Sequence, residues 1–302
     1  MAASDPAQIL RTAEGQVPGV HRWRVGAITI TAIADGYAPL PMAVVPQADP
    51  AVATELARKF YAPEDHLQCV INTFVIQTPT RRIMVDTGFG ALGAGHSGKI
   101  WENLRAAGID PGSIDVLYIT HGHPDHTSGM LAIDGSAGFP NAELFIHQNE
   151  VAYWGDEAQA SRAPEEQKSW FDIFRRSVAA YRGRTTLIDR DGLEIVPGLR
   201  VRELFGHTPG HSGLHIADGG EQHLFWTDIV HFQHLQFPRP DWGVGFDADP
   251  AQAIKVRSAM LDEVSTDRMT ISGTHLVFPG FGHVRREGDA YAFEAARWNY
   301  ES

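Results

Sequence analysis

The sequence predicts an α/β fold in which β-sheets carry helices on their outer faces. Three observations lead there. Strand-like runs recur in both halves of the chain, helix-period segments lie among them in each half, and the 43% apolar, 21% charged composition is that of an ordinary globular protein. The 302 residues are ample for a buried core.

The elements follow in order. The first 20 residues, rich in Ala, Pro, Gln and Gly, are expected to form an arm, and residues 21–302 a single domain. Residues 25–36, VGAITITAIADG, alternate with β-branched residues and predict a strand. Residues 51–60 predict a short helix. Residues 70–78 and 81–88 predict a strand pair turning at Thr78–Thr80, with Pro79 supporting the turn. In residues 98–109, Ile100, Leu104 and Ala107 share one helical face and Gly108 stops the helix. Residues 114–120, IDVLYIT, are a continuous apolar run, hence a buried strand. Residues 142–147 predict another strand. Residues 164–181 predict a helix with Trp170, Ile173, Phe174 and Val178 on one face. Strand-like runs follow at 199–205, 212–218 and 222–230. Residues 249–264 predict a helix with Asp249 as N-cap and Pro250 in its first turn, and 268–275 a last strand.

Composition excludes several functions. No stretch of about 18 apolar residues suggests a membrane span, and the N-terminus does not read as a signal peptide. The formal net charge of −12 repels phosphate backbones, so nucleic acid is a poor substrate. The one cysteine, Cys69, rules out an internal disulfide, fits a reducing cytoplasm and reads as a small buried side chain.

The chemistry is concentrated in THGHPDHTSG, which follows the 114–120 strand directly. His121 and His123 are two apart, so both can reach one ion. Asp125 and His126 follow a proline that bends the chain toward a second point. Imidazole with carboxylate suits Zn²⁺, and also Fe, Mn or Co. Four ligands do not fill two metal sites, so others should lie downstream. Residues 205–215, FGHTPGHSGLH, offer His207, His211 and His215, while Asp228 and His275 each stand at the end of a strand-like run.

Together these motifs resemble the metallo-β-lactamase fold superfamily over most of the chain. The resemblance implies a four-layer αβ/βα sandwich of two mixed sheets with helices on the outer faces. It implies two divalent ions, with Zn²⁺ expected. One ion would take His121, His123, His207 and Asp228, and the other Asp125, His126, Asp228 and His275. Asp86, in VDTG, would hold a ligand histidine in its tautomer, and His211 would support the ligands in the same way. His123 argues against the flavo-iron reductases, which place glutamate there. Cys69 lies in the wrong segment to be the cysteine ligand of many true metallo-β-lactamases, and the acidic charge matches RNase Z-type nucleases poorly.

Within the superfamily, THGHPDHTSGM, GHTPGHS and SGTHLVFPGFGHVR resemble the branch of N-acyl-homoserine lactonases and methyl parathion hydrolase-like enzymes. That branch implies hydrolysis of a small lactone or carboxylic ester by a metal-bridging hydroxide, with Asp125 as ligand and proton carrier. A quorum-quenching role and a homodimer, the arm crossing onto a partner subunit, belong to the same expectation. Organophosphate triesters or hydrolytic dehalogenation are the alternative, and a phosphodiester a more distant one. The branch's familiar lactonases carry tyrosine three residues after the bridging aspartate. Here His231 stands there, expected to assist the oxyanion or leaving group. The substrate pocket is expected to draw on Trp154, Trp170, Phe171, Phe232, Trp242 and Phe278, with Phe237 and Phe246 as further candidates. Trp242 is expected on a mobile loop.

Overall fold

The computed structural model describes residues 16–298. Of the expected arm, residues 1–15 lie outside the described residues, and Val20 already opens the first strand. The first sheet has seven strands in sequence order: β1 (Val20–Val25), β2 (Ile28–Leu40), β3 (Leu67–Gln77), β4 (Arg82–Val85), β5 (Val116–Ile119), β6 (Glu143–His147) and β7 (Thr185–Ile188). The second runs β8 (Glu194–Val196), β9 (Leu199–Glu203), β10 (Ser212–Asp218), β11 (Glu221–Phe225), β12 (Thr270–Ser272), β13 (Phe281–Glu287) and β14 (Ala290–Ala295). Both sheets are mixed: β4 to β7 run parallel, as do β11 and β12, and the other pairs are antiparallel.

Period two explains the layers. In β4, Ile83 and Val85 enter the core between the sheets, while Met84 faces outward to a second core. In β5, Val116 and Tyr118 point inward, and Leu117 and Ile119 outward. The inner core joins Trp23, Ile30, Phe74 and Ile76 of the first sheet to Leu199, Val201, Leu214 and Phe225 of the second. Outside the first sheet, helices α2 (Ile100–Ala106) and α6 (Glu165–Ala179) contribute Ile100, Leu104, Phe171 and Phe174. Outside the second, α8 (Pro250–Thr266) contributes Met260, Leu261 and Val264. The expected cap is present: Asp249 Oδ1 accepts from Gln252 N at 3.0 Å. The result is the expected four layers.

Several elements differ from expectation. The strand anticipated over 25–36 is the middle of a hairpin. Gly26, at φ +59°, turns β1 into β2, and Ala27 N donates to Asp218 Oδ2 at 2.7 Å. The run at 222–230 ends as a strand at Phe225, because Thr227 takes φ +50° and the chain tightens into a 3₁₀ turn. The anticipated last strand is followed by two more, β13 and β14. Helices α4 (Gln148–Gly155) and α5 (Glu157–Arg162) also form, where the sequence gives little period. The remaining helices are α1 (Pro50–Lys59), α3 (Pro124–Thr127) and α7 (Gln233–Gln236).

This topology brings five strand ends together. β4, β5, β9, β11 and β12 finish at the same end of the sandwich, followed by Asp86, His121, His207, Asp228 and His275 respectively. Cross-sheet bonds stitch that end. Ser212 N donates to Thr120 O at 3.1 Å, and Asn72 Nδ2 donates to Thr274 O at 3.0 Å and Leu276 O at 2.7 Å.

Candidate metal centre

Asp228 stands at the middle of a ring of imidazoles. Its Oδ2 lies 2.9 Å from His275 Nε2, 3.3 Å from His126 Nε2, 3.4 Å from His207 Nε2 and 3.6 Å from His121 Nε2. On one side, His121, His123 and His207 present donor atoms within 4.8 Å of one another; on the other, Asp125, His126 and His275 do the same. The structure therefore brings together all seven residues singled out as ligands, in two groups with Asp228 between them.

The outer nitrogens of several rings are tied, which turns the inner ones toward the centre. His126 Nδ1 donates to Asp86 Oδ2 at 2.8 Å, His207 Nδ1 to Asp247 Oδ1 at 2.7 Å, and His275 Nδ1 to Val70 O at 2.6 Å. Asp86 holds an uncommon φ of +55° and also accepts from Thr120 N and Thr120 Oγ1, both at 2.9 Å. His211 Nδ1 donates to Leu204 O at 2.9 Å, leaving Nε2 to face the Asp228 N–H at 3.4 Å. It thus supports Asp228 through the backbone.

The charges are set by burial against Asp228. Burial, with the neighbouring histidines adding to it, holds His121 and His123 well below the ordinary histidine value. Burial pulls His126 down too, but Asp228, Asp86 and Asp125 hold it well above that value. Burial likewise opposes His275, where Asp228 and Cys69 prevail. His207 is pushed up to about 8, since Asp228 and Asp247 outweigh its burial. Burial lowers His211 to about 3. Asp228 itself is buried, yet His126, His275 and His121 keep it well below the usual carboxylate range.

These residues fit a pair of divalent ions. Nε2 of His126 and of His207 are buried with no hydrogen-bond partner, although both face Asp228. Buried nitrogens without partners are costly unless something else takes their lone pairs. Imidazole and carboxylate are the donor set that zinc and its neighbours prefer.

A cavity of about 330 Å³ opens over the centre. His123, Asp125, Asp228 and His275 line it on the polar side, and Leu40, Phe89, Leu92, Trp170, Ile173 and Phe246 supply much of the rest. Its described lining contains no lysine or arginine. Of the six aromatic residues expected there, only Trp170 lines it. Trp154 and Phe171 pack into the core under α6, Phe232 and Trp242 pack with Val45, Leu67 and Leu235, and Phe278 packs against the inter-sheet core. Phe237 belongs to the core under α8. Trp242 lies in the irregular stretch before α8, with its side chain packed inward. It is 1% exposed, and the buried Arg257 guanidinium donates to its carbonyl at 2.9 Å and to Ile229 O at 2.7 Å. His231 is 1% exposed and is not among the residues lining this cavity; its Nε2 faces Asp228 Oδ2 at 3.3 Å.

Two residues of the site escaped the sequence reading. Asp247 aims His207. Glu150 is fully buried and accepts from Gly122 N at 2.7 Å, Gly210 N at 2.6 Å and Trp154 Nε1 at 2.8 Å. It thereby braces the His121–His123 loop against the His207–His211 loop. Neither has a local motif; DADP and HQNE read as a turn and a helix start.

No curated protein matches the sequence. Solved structures do match. AidC, a dizinc quorum-quenching lactonase in complex with the product N-hexanoyl-L-homoserine, is 22% identical, with a TM-score of 0.87 over 93% of this chain and 99% of that one. AbOPH, a hydrolase in the beta lactamase superfamily, is 29% identical, with a TM-score of 0.88 over 94% and 100%. An N-acyl homoserine lactone hydrolase with N-hexanoyl-L-homoserine bound at its catalytic metal centre is 19% identical, with a TM-score of 0.59 over 86% and 100%. The model of the metallo-beta-lactamase superfamily matches residues 67–275, a span that holds every candidate ligand described above and the strands that deliver them. With that match, the two seven-stranded sheets and the shared ligand end, the chain belongs to the metallo-β-lactamase superfamily.

Proposed function

We propose that this metal-dependent hydrolase opens a lactone or cleaves a carboxylic ester bearing an apolar chain. The observation that carries the proposal is the pairing of a seven-residue, two-ion ligand set with a cation-free, largely apolar cavity above it. The cavity volume falls in the range of small-molecule sites. The lactonases among the similar structures support the same reading.

Two divalent ions held there would supply Lewis acidity and lower the pKa of a bound water to about 7. The chain's own residues do the rest. Leu92, Trp170, Ile173 and Phe246 take the apolar part of the substrate and turn its carbonyl toward Asp228 and His123. Asp125, 19% exposed on the cavity lining, can hold a proton and pass it to the departing oxygen. Asp86, Asp247 and His211 keep the rings and the bridging carboxylate in register. The test is a panel offered to zinc-loaded protein: homoserine lactones, simple lactones, aryl esters, a phosphate triester and bis-p-nitrophenyl phosphate. Hydrolysis of lactones or esters is expected, and hydrolysis of the diester alone would overturn the proposal.

Two further results should follow. Trp170→Ala should raise KM for a long-chain substrate by about tenfold while leaving a short-chain one nearly unchanged, because only the longer chain loses contact. Steady-state kinetics on a chain-length series would show it. Zinc affinity should also depend on pH. In the metal-free protein Asp228 holds His126 and His275 well above the ordinary histidine value and, with Asp247, pushes His207 up to about 8, so at pH 7 the ions must displace protons. Affinity should rise with pH across the range from pH 6 to pH 8, by about tenfold per unit for each proton displaced. Competition titrations at pH 6 and pH 8 that gave equal affinity would contradict this.

A further inference from the structure

One more histidine faces the bridging carboxylate. His231 Nε2 lies 3.3 Å from Asp228 Oδ2, and with His207 and Asp228 it forms a fourth group of donors within 4.8 Å. The ring is locked in place. It stacks on His275 with centroids 5.0 Å apart and an interplanar angle of 19°, and it packs against Phe246 at 5.3 Å. Its backbone is clamped by Gln236, whose Oε1 accepts from His231 N at 2.7 Å and Phe232 N at 3.2 Å. Gln236 is in turn anchored by donating through Nε2 to Trp242 O at 2.9 Å.

Neither nitrogen of this buried ring has a hydrogen-bond partner, and the approach to Asp228 lacks hydrogen-bond geometry. The neighbouring His211 differs, because both of its nitrogens are engaged within the protein. His231 Nε2 instead shares the condition of Nε2 in His126 and His207, the ligand nitrogens left bare toward the centre. A ring positioned this tightly, with its lone pair unused, has the form of a metal donor. Its other side borders a second cavity of about 150 Å³, walled also by Gln68, Phe232, His234 and His275.

We propose that His231 is an eighth protein donor at the metal centre, adding its Nε2 to the side of Asp228 served by His207. The proposal rests on the two-ion reading above. It makes the two positions unequal: five protein ligands on the His121–His123–His207 side, four on the Asp125–His126–His275 side.

The experiment uses full-length protein, zinc competition titrations and the visible absorption of the Co²⁺-loaded form. Wild type should bind two ions. His231→Phe and His231→Gln should each weaken one of them by about 10- to 100-fold, and the Co²⁺ bands of that ion should intensify as its coordination number falls. Glutamine keeps a hydrogen-bond donor toward Asp228. If His231→Gln holds both affinities and the spectrum at wild-type values, the histidine only orients the carboxylate and the proposal is overturned. In His231→Ala, added imidazole should restore the wild-type spectrum, the second cavity giving it room; a spectrum unmoved by imidazole also overturns the proposal. Fewer than two ions in wild type would instead overturn the two-ion reading on which it stands.

Discussion

Asp228→Asn should reduce hydrolysis by roughly 10³-fold or more, a loss at least as large as that for removing one well-placed electrostatic group from an active site. It should also leave the protein holding fewer than two divalent metal ions. The reason is geometric. A single oxygen, Oδ2, lies within 3.6 Å of four ligand imidazoles, so it alone belongs to both halves of the centre. Asparagine keeps the shape but not the charge that draws two cations together at close range. Metal analysis and kcat on the purified variant provide the check, with circular dichroism to confirm the fold. Two tightly bound ions with near-normal kcat would show that the bridge lies elsewhere. His211, which meets the Asp228 N–H, should matter less, because its loss shifts the carboxylate without removing it.

Glu150→Ala should produce the largest loss of stability at the site, about 1–3 kcal/mol for each buried donor it strands. The carboxylate is fully buried and receives two backbone N–H groups and the Trp154 indole. Burial raises its pKa, while Thr208, Gly210, Trp154 and Gly122 act against that rise, so its ionised form depends on those donors. Alanine would strand all of them in an apolar setting. Glu150→Gln should cost less, since one oxygen still accepts while the new amide faces donors. Thermal unfolding of the metal-free protein isolates this effect from metal binding. A melting temperature within a degree of wild type for Glu150→Ala would refute the brace. Activity should fall with stability, because Glu150 joins the loop bearing His121 and His123 to the loop bearing His207 and His211.

The parts that were legible in the sequence are those whose chemistry is local. HGHPDH follows an apolar run, so its residue types and their spacing both point to ions. GHTPGHS and THLVFPGFGH could be read only beside that motif. Asp247 and Glu150 stayed hidden because a carboxylate forty or sixty residues from its partner has no spacing to betray it. Most of the aromatics were misplaced for a different reason, although Trp170 and Phe246 do line the cavity. Trp154, Trp170 and Phe171 lie near one another around α6, and period alone cannot say which side faces the cavity and which the core. Strands β7 and β8 are short, and β13 and β14 lie in a charged stretch, so pairing with neighbours rather than hydrophobic pattern holds them in their sheets. The 25–36 reading catches the Gly26 turn and most of β2 but not β1, whose VHRWRV carries a histidine and two arginines among its apolar positions.

The division of ligands between the sheets bears on how the protein is made. Four donors follow β5 in the first sheet, and the other three follow β9, β11 and β12 in the second. A ribosome therefore delivers a half-built site first, with no Asp228 to hold two cations together. The apolar cores on both faces of each sheet contain no ligand, so they can assemble without metal. Loading should accordingly be the last event of biogenesis. Chains made under metal starvation should accumulate as empty, protease-resistant molecules that a later pulse of metal activates without new synthesis. Protease-sensitive chains under those conditions would show that the ions are needed earlier, as part of folding itself.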